Sequence, residues 1–245
     1  MSDDLLGRCT FPLAGTRVTA AVSGGPDSLA LLVLAVRAGC EVTAVHVDHG
    51  LRPGSDAEAD VVAAVAARYG AGFRAESVTV PAGSNLEARA REARRAVLPA
   101  DACTGHTLDD RAATVLVNLL RGAGTTGLGA LRPGPRRPLL ALRRSETRAL
   151  CASEGLAPVS DPSNHDPRFV RNRVRHDVLP LLADVSGRDP VPILARQAEL
   201  LADDADLIAV MADALDPTDA AALAEAPAPL ARAAVRAWLR ATADG

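Results

Sequence analysis

Apolar and polar positions follow two different periods along most of this chain. Runs with alternating or β-branched apolar residues predict strands at 16–22, 42–47, 73–80, 100–105 and 139–142. Segments with apolar residues at helical spacing predict helices at 29–36, 55–69, 84–95 and 107–120. Strands that alternate with helices at this spacing predict an α/β fold, a Rossmann-like doubly wound parallel sheet.

The composition changes twice beyond the last of these helices. Residues 122–138 are rich in Gly, Pro and Arg, which predicts a long connection before the short fifth strand. From about Val185 the chain is rich in alanine, leucine and acids at helical spacing, without a strand signal. We therefore predict a catalytic domain at 1–185 and a small C-terminal helical appendage at 186–245.

Composition excludes several classes of protein. The N-terminus has no apolar signal segment and no stretch reaches the length of a membrane span, so we expect a soluble, cytoplasmic protein with no membrane partner. The four cysteines are far apart, which argues against a zinc ribbon, an iron–sulfur site or a disulfide framework. All 27 residues counted as Lys or Arg are arginines, so no Walker A lysine, Schiff-base lysine or lysyl-adenylate is available.

The net charge of -3 gives no general attraction to nucleic acid, so RNA binding would have to come from local clusters. Two groups of arginines are present. The first contains Arg132, Arg136, Arg137, Arg143 and Arg144, and the second contains Arg168, Arg171, Arg173 and Arg175. Taken alone, each group is more typical of a solvated face than of a binding site.

The strongest local signal is the loop Ser23-Gly24-Gly25-Pro26-Asp27-Ser28 between a predicted strand and helix. Two adjacent glycines allow backbone N–H groups to close around an anion, and the helix directs its positive end to the same place. The glycine spacing differs from the Rossmann pattern, and the Walker A pattern needs the absent lysine. The loop predicts a phosphate-binding site; an ordinary Gly-Pro turn is the alternative.

The loop resembles that of the N-type ATP pyrophosphatase (PP-loop) superfamily, whose fold is adenine nucleotide alpha hydrolase-like. Further segments occur in the order seen in the bacterial tRNA(Ile)-lysidine synthetases, between about Val18 and Leu182. These segments are 46–52 (HVDHGLR), 85–94 (NLEARAREAR), 105–110 (GHTLDD), 137–140 (RPLL), 161–164 (DPSN) and 171–175 (RNRVR).

The resemblance implies a two-step reaction. ATP would adenylate the carbon-2 oxygen of the wobble cytidine in tRNA(Ile) with a CAU anticodon, and free L-lysine would then displace AMP. Asp27 would hold Mg²⁺ against the ATP phosphates, Ser23 and Ser28 would donate to the pyrophosphate, and Gly24, Gly25 and Pro26 would shape the loop. A homodimer is an open possibility.

Other residues are assigned by the same resemblance. Asp109 and Asp110 would face the nucleotide and the ammonium group of lysine, although first-turn acids at a helix start are an equally good interpretation. His106 would contact the base or a phosphate beside Gly105, and His46 and Asp48 would line the nucleotide pocket. A metal site from His46, Asp48 and His49 is disfavoured because adjacent strand residues point to opposite faces. Arg137, Arg171, Arg173 and Arg175 are the candidate tRNA contacts.

The sequence departs from the family pattern after the paired aspartates. The family reads Asp-Asp-Gln-x-Glu-Thr, whereas this chain has Arg111 and Ala113 in place of the Gln and the Glu. The change leaves two alternatives open: another PP-loop enzyme, such as a tRNA thiolase, or a degraded tRNA- or nucleotide-binding module. A thiolase normally needs paired or cluster-binding cysteines, which counts against the first.

Overall fold

The computed structural model describes residues 2–48, 50, 56–79 and 86–243. Its sheet consists of β1 (Arg17–Ala21), β2 (Glu41–Asp48), β3 (Gly72–Ser77) and β4 (Cys103–Thr104). The strand order is β3-β2-β1-β4, and all pairings are parallel. The predicted doubly wound parallel sheet is confirmed. His49, Arg52 and Asn85, which belong to the quoted motifs, lie outside the described residues.

Helices lie before, between and after the strands. In chain order they are α1 (Ser2–Leu6), α2 (Pro26–Arg37), α3 (Asp56–Arg68), α4 (Leu86–Val97), α5 (Leu108–Leu120), α6 (Thr125–Leu128), α7 (Arg144–Ser153), α8 (Val170–Arg173), α9 (Leu179–Ser186), α10 (Pro190–Ala212), α11 (Ala220–Glu225) and α12 (Ala228–Ala243). A 3-10 turn (Pro162–His165) precedes α8, and a π-helical turn (Val174–Val178) joins α8 to α9. No helix in the described ranges combines the length and the apolar character that crossing a membrane requires.

The central helix α2 carries much of the core. Residues Leu29 to Ala35 are all fully buried, because β1 and β2 contact one side of the helix and α7 packs on another. Each fully buried leucine contributes roughly 1.5–3 kcal/mol to stability. This burial holds the N-terminus of α2, and with it the glycine-rich loop, in a fixed place.

The predicted fifth strand is wrong. Leu139, Leu140 and Leu142 are buried, but the backbone makes successive turns, with Leu142 N donating to Leu139 O at 2.9 Å. A short apolar run predicts burial, but it does not by itself determine the backbone conformation. The fourth strand is also shorter than predicted, because Ala102 N bonds to Pro99 O in a turn at its start.

Among the C-terminal helices, α10 packs directly on helices that follow the sheet. Helix α10 lies against α5 and α6 through the buried small residues Ala195, Ala198, Ala202 and Ala205. A Cβ added at Gly129, after α6, would lie 2.8 Å from the Ala202 backbone, so only glycine permits this approach. The helical character predicted beyond Val185 is therefore present, while the division at 185/186 stays a prediction.

Candidate active site

The strand order places the glycine-rich loop at a switch point of the sheet. From β1 the chain moves outward through β2 and β3, and β4 then pairs with the other side of β1. In doubly wound sheets, ligands bind outside the carboxyl ends of the strands at such a point. The loop after β1 and the Gly105–Asp110 segment after β4 meet there.

The loop is held closed by its own hydroxyl groups. Ser28 Oγ donates to Gly25 O at 2.9 Å, accepts from Ser23 N at 3.1 Å, and lies 3.3 Å from Ser23 Oγ. Gly24 has φ +82°, a conformation that favours glycine. Among the described residues, the amides of Gly24, Gly25 and Asp27 have no hydrogen-bond acceptor. They lie beside the N-terminus of α2, which makes the loop suited to bind an anion.

Gly105 brings the second segment against this loop. A Cβ at Gly105 would lie 2.6 Å from Asp27 O, so the glycine allows two backbones to touch. On the opposite side, Val159 N donates to Gly24 O at 3.0 Å. Segments that are far apart in the chain thus contact the loop from two sides.

The Asp27 side chain contacts α7. Its Oδ2 accepts from Arg144 Nε at 3.1 Å, and its Oδ1 accepts from the Thr147 hydroxyl at 2.5 Å. Burial raises the pKa of Asp27, and the favourable contacts with Arg144 and Thr147 offset only part of this effect. The Asp27 carboxylate is therefore tied to α7 by one cation and one hydroxyl.

Asp110 is the centre of a cluster of guanidinium groups. Its Oδ1 accepts from Arg144 at 3.1 Å, from Arg171 at 3.3 Å, and from Arg175. Its Oδ2 accepts from the Thr107 amide at 2.9 Å and closes the first turn of α5. Burial alone would raise the pKa of Asp110, but the charges of Arg175, Arg144 and Arg171 lower it well below its ordinary range.

Asp109 has a different set of partners. It accepts from Arg143 Nε at 3.1 Å and from the Arg144 backbone amide at 2.8 Å. Arg143 also pairs with Asp189, the residue that caps α10 by accepting from Val191 N at 3.0 Å. Asp109 therefore anchors the start of α7 and is linked through Arg143 to the start of α10.

The histidines predicted at the site have structural hydrogen bonds. His46 is buried, and its Nδ1 donates to Val22 O at 3.0 Å, which supports the end of β1. His106 Nδ1 lies 2.7 Å from the Thr104 hydroxyl. Asp48 Oδ1 accepts from Gly50 N at 2.9 Å in the turn after β2. His46 and Asp48 lie at the carboxyl end of β2, whereas their contact with a nucleotide stays a prediction.

The second arginine group is divided between two environments. Arg171 and Arg175 point inward to Asp110, whereas Arg173 is exposed and pairs with Asp177, and Arg168 pairs with Asp166. Asn172 between them is buried and donates to Ser163 O at 2.7 Å and to Asp166 O at 3.0 Å. The 161–164 and 171–175 motifs thus form one unit, which places two of its arginines at the site. Arg137 lies apart from them, before the buried leucines.

Sequence reasoning missed Arg143, Arg144 and Thr147. The solvated-face interpretation of the first arginine group is wrong for Arg143 and Arg144, which bind all three candidate acids. A signal was present: two cations at the start of a helix oppose its dipole unless carboxylates compensate them. The compensating acids come from α2 and α5, which no local pattern can identify.

The two departures from the family pattern are both buried. The Arg111 side chain is only 2% exposed and donates to Glu199 on α10 at 2.5 Å, while its Nε has no partner among the described residues. Ala113 is fully buried in an apolar cluster with Val174 and Leu179. Neither residue presents a carboxylate or an amide to the site.

Comparisons with known proteins are consistent with this geometry. The PP-loop domain family, ATP_bind_3, matches residues 5–182. A tRNA(Ile)-lysidine synthase from Nocardia farcinica is 47% identical, over 94% of this chain and 77% of the relative. Those from Rhodococcus erythropolis and Mycobacterium tuberculosis are 44% and 41% identical, each over 91% of this chain and over 74% and 75% of their own length.

A solved structure shares the fold at lower identity. The U34-tRNA thiolase from Methanococcus maripaludis, solved with its [4Fe–4S] cluster, superposes with a TM-score of 0.67 and 20% identity. The match covers 82% of this chain and 77% of the thiolase. At this identity the similarity concerns the fold.

Proposed function

The chain belongs to the tRNA(Ile)-lysidine synthase family of PP-loop proteins, and from this premise we propose that it is an ATP-dependent tRNA(Ile)-lysidine synthase. In the proposed reaction, ATP adenylates the carbon-2 oxygen of the wobble cytidine and releases pyrophosphate. The amine of L-lysine then attacks carbon 2 and AMP leaves, so a carbon–nitrogen bond forms and the enzyme is a ligase. Location in the cytoplasm and assembly as a homodimer stay predictions.

One observation carries this proposal: the backbone contact between the two signature segments. Gly105 leaves no room for a side chain against the Asp27 backbone, so the phosphate loop and the segment that leads into α5 are in direct contact and form a single site. The free amides of the loop would bind ATP phosphates. Asp110 and its arginines lie beside them, where charge changes during adenylation.

Asp27 and Asp110 differ in how well each could accept a proton from the lysine amine. The pKa of Asp110 is lowered by three guanidinium groups, so it holds a negative charge and accepts a proton poorly. The pKa of Asp27 is raised, which makes Asp27 the better of these two for proton transfer. Ala113 supplies no acid, so the lysine ammonium would be received by Asp27 or Asp110 in place of the family's glutamate.

The tRNA contacts are proposed for arginines that remain accessible. Arg173 has a side chain that is 64% exposed beside the site and is suited to a phosphate contact. Arg171 and Arg175 would reach tRNA only if they left Asp110. We therefore propose that their first role is to pair with Asp110 at the active site. Arg137 is proposed as a contact on the other side of the site.

The described residues do not form a magnesium site from protein ligands alone, so a Mg²⁺ ion at Asp27 that is shared with the ATP phosphates stays a prediction. Both oxygens of Asp27 already accept hydrogen bonds, one of them from a cation. Within the described ranges, no three His, Cys, Asp or Glu residues are grouped so as to hold a metal ion.

The sulfur-transfer alternative is disfavoured by the thiols. All four cysteines are free, and Cys40, Cys103 and Cys151 are buried. Burial raises the pKa of Cys103 and Cys151 to about 11 and that of Cys9 to about 12. Thiols of this kind are poor nucleophiles and poor cluster ligands at neutral pH.

The decisive experiment supplies the purified protein with ATP, magnesium chloride, radiolabelled lysine and a tRNA(Ile) transcript with a CAU anticodon. We expect label on the tRNA and none with an anticodon in which the wobble cytidine is replaced by uridine. Asp27→Ala should abolish the label, while the exposed Asp204→Asn should retain it.

Two other outcomes would overturn the proposal in different ways. Binding of ATP and tRNA without label or ATP–pyrophosphate exchange would indicate the degraded binding module. Exchange that depends on this tRNA, without lysine incorporation, would indicate another nucleophile, and a persulfide donor would then test for sulfur transfer.

A further inference from the structure

Arg144 is the one described residue that contacts the acids of both signature segments. Its Nε donates to Asp27 beside the phosphate loop, and its Nη2 donates to Asp110 at the start of α5, both at 3.1 Å. Arg171 and Arg175 contact only the second of these acids. The guanidinium therefore bridges the two signature segments.

The remaining donor capacity of Arg144 is available to a ligand. Among the described residues, its Nη1 makes no hydrogen bond, and the side chain is 23% exposed. Arg111, in contrast, is 2% exposed and closed to any ligand. Arg144 is thus a partly accessible cation with one unused edge beside a loop that is suited to phosphate.

A bound polyphosphate would compete with Asp27 for the Arg144 guanidinium. ATP would bring several negative charges next to a carboxylate whose pKa burial already raises. A chain without lysine has only arginine to neutralise phosphates by ion pairing. Arg144 hydrogen-bonds to Asp27 of the loop, and a guanidinium binds phosphate oxygens in a two-point geometry.

We propose that Arg144 is a phosphate-binding residue that exchanges partners: it pairs with Asp27 in the free protein and turns to the ATP polyphosphate when the nucleotide binds. Asp27 is then a competitor of the polyphosphate for the guanidinium. Asp110 retains Arg171 and Arg175 and stays paired throughout. The inference rests on the proposed function only in that ATP is the substrate.

Equilibrium ATP binding, measured by calorimetry with EDTA and again with magnesium chloride, tests the exchange. Arg144→Gln should weaken ATP binding about tenfold or more in both buffers, because a charge-assisted contact is lost. Arg144→Lys should recover only part of the affinity, since the two-point geometry is missing. The control is Arg148→Gln, an exposed arginine on the same helix, which should bind ATP like the unaltered protein.

Asp27→Asn gives the sharper result, since it frees Arg144 without removing it. If the two anions compete, this variant binds ATP in EDTA more tightly than the unaltered protein does. Weaker binding in EDTA, to the extent seen with Arg144→Gln, would overturn the exchange and leave a purely structural ion pair. Unchanged binding by a folded Arg144→Gln protein would overturn it as well.

These measurements are independent of the amine and tRNA steps. A protein that fails to incorporate lysine but shows the expected ATP affinities would refute the proposed function and support the role of Arg144. If Arg144→Gln does not fold, as judged by circular dichroism, Arg144→Lys and Asp27→Asn still decide the question.

Discussion

The phosphate loop and the start of α5 face the same cleft but are built in opposite ways. The loop depends on backbone: a glycine at φ +82°, unused amides and two hydroxyls that close it from within. The start of α5 depends on side-chain charge supplied from α7, α8 and the π-helical turn. The first arrangement is local in sequence, whereas the second is assembled from distant segments.

This difference decides how each region tolerates change. The conformation of a loop that is held by backbone geometry should be sensitive to added side-chain atoms and insensitive to a change of side-chain charge. A buried charge cluster is sensitive to the loss of one charge, because its counter-ions cannot return to water. The two regions should therefore fail under different substitutions and at different pH values.

The largest effect is expected at the charge cluster. Asp110→Asn leaves Arg144, Arg171 and Arg175 without their shared carboxylate, which should destabilise the protein by about 3–5 kcal/mol. Urea denaturation followed by circular dichroism measures the change, with the exposed Asp204→Asn as the matched control. A loss below about 1 kcal/mol would show that these arginines find other partners.

The same acid should give the protein a characteristic response to pH. Because the pKa of Asp110 is lowered in the folded state, its contribution is present above its unfolded pKa of about 3.9 and is lost as the pH falls through its folded pKa. Stability should fall below about pH 4 with a slope of up to about 1.4 kcal/mol per pH unit from this group. Asp110→Asn should lack that part of the slope; equal slopes in both proteins would contradict the assignment.

The loop should respond to a single methyl group. Gly105→Ala would place a Cβ 2.6 Å from Asp27 O, so one backbone must shift. We expect a loss of about 1–3 kcal/mol in stability, together with a loss of ATP affinity measured by calorimetry. Normal ATP affinity in this variant would show that the contact does not position the loop.

The smallest effect on stability is expected at Gly25, in comparison with the adjacent Gly24. Gly24→Ala meets Val159 at 2.9 Å and needs a positive φ, whereas Gly25 has φ -72° and its added Cβ meets only Ser23 Oγ at 3.7 Å. Gly25→Ala should therefore fold with a stability change below about 1 kcal/mol yet bind ATP more weakly, because phosphate can no longer approach the backbone. Thermal unfolding and calorimetry on the pair distinguish folding from binding; equal destabilisation would refute the comparison.

Sequence patterns predicted the parts of this molecule that are local. The first three strands, the cap at Thr107 and the helix to Leu120 follow from periodicity and capping, and the loop follows from its glycines. The fifth strand failed because burial of Leu139 and Leu142 does not require extended backbone. The partners of Asp27, Asp109 and Asp110 could not be predicted, since two arginines at the start of a helix indicate that acids compensate them but do not identify which acids.

The fastening of α10 has a consequence for anyone who would shorten this enzyme. A fragment that ends near residue 185 would retain the whole glycine-rich loop, but Arg143 would lose Asp189 and the buried Arg111 would lose Glu199. Loss of α10 with its buried alanines would also expose the apolar surface of α5. Such a fragment would have a buried arginine without its carboxylate partner and an exposed apolar surface. Its poor solubility would result from the truncation and would give no information about the chemistry of the active site.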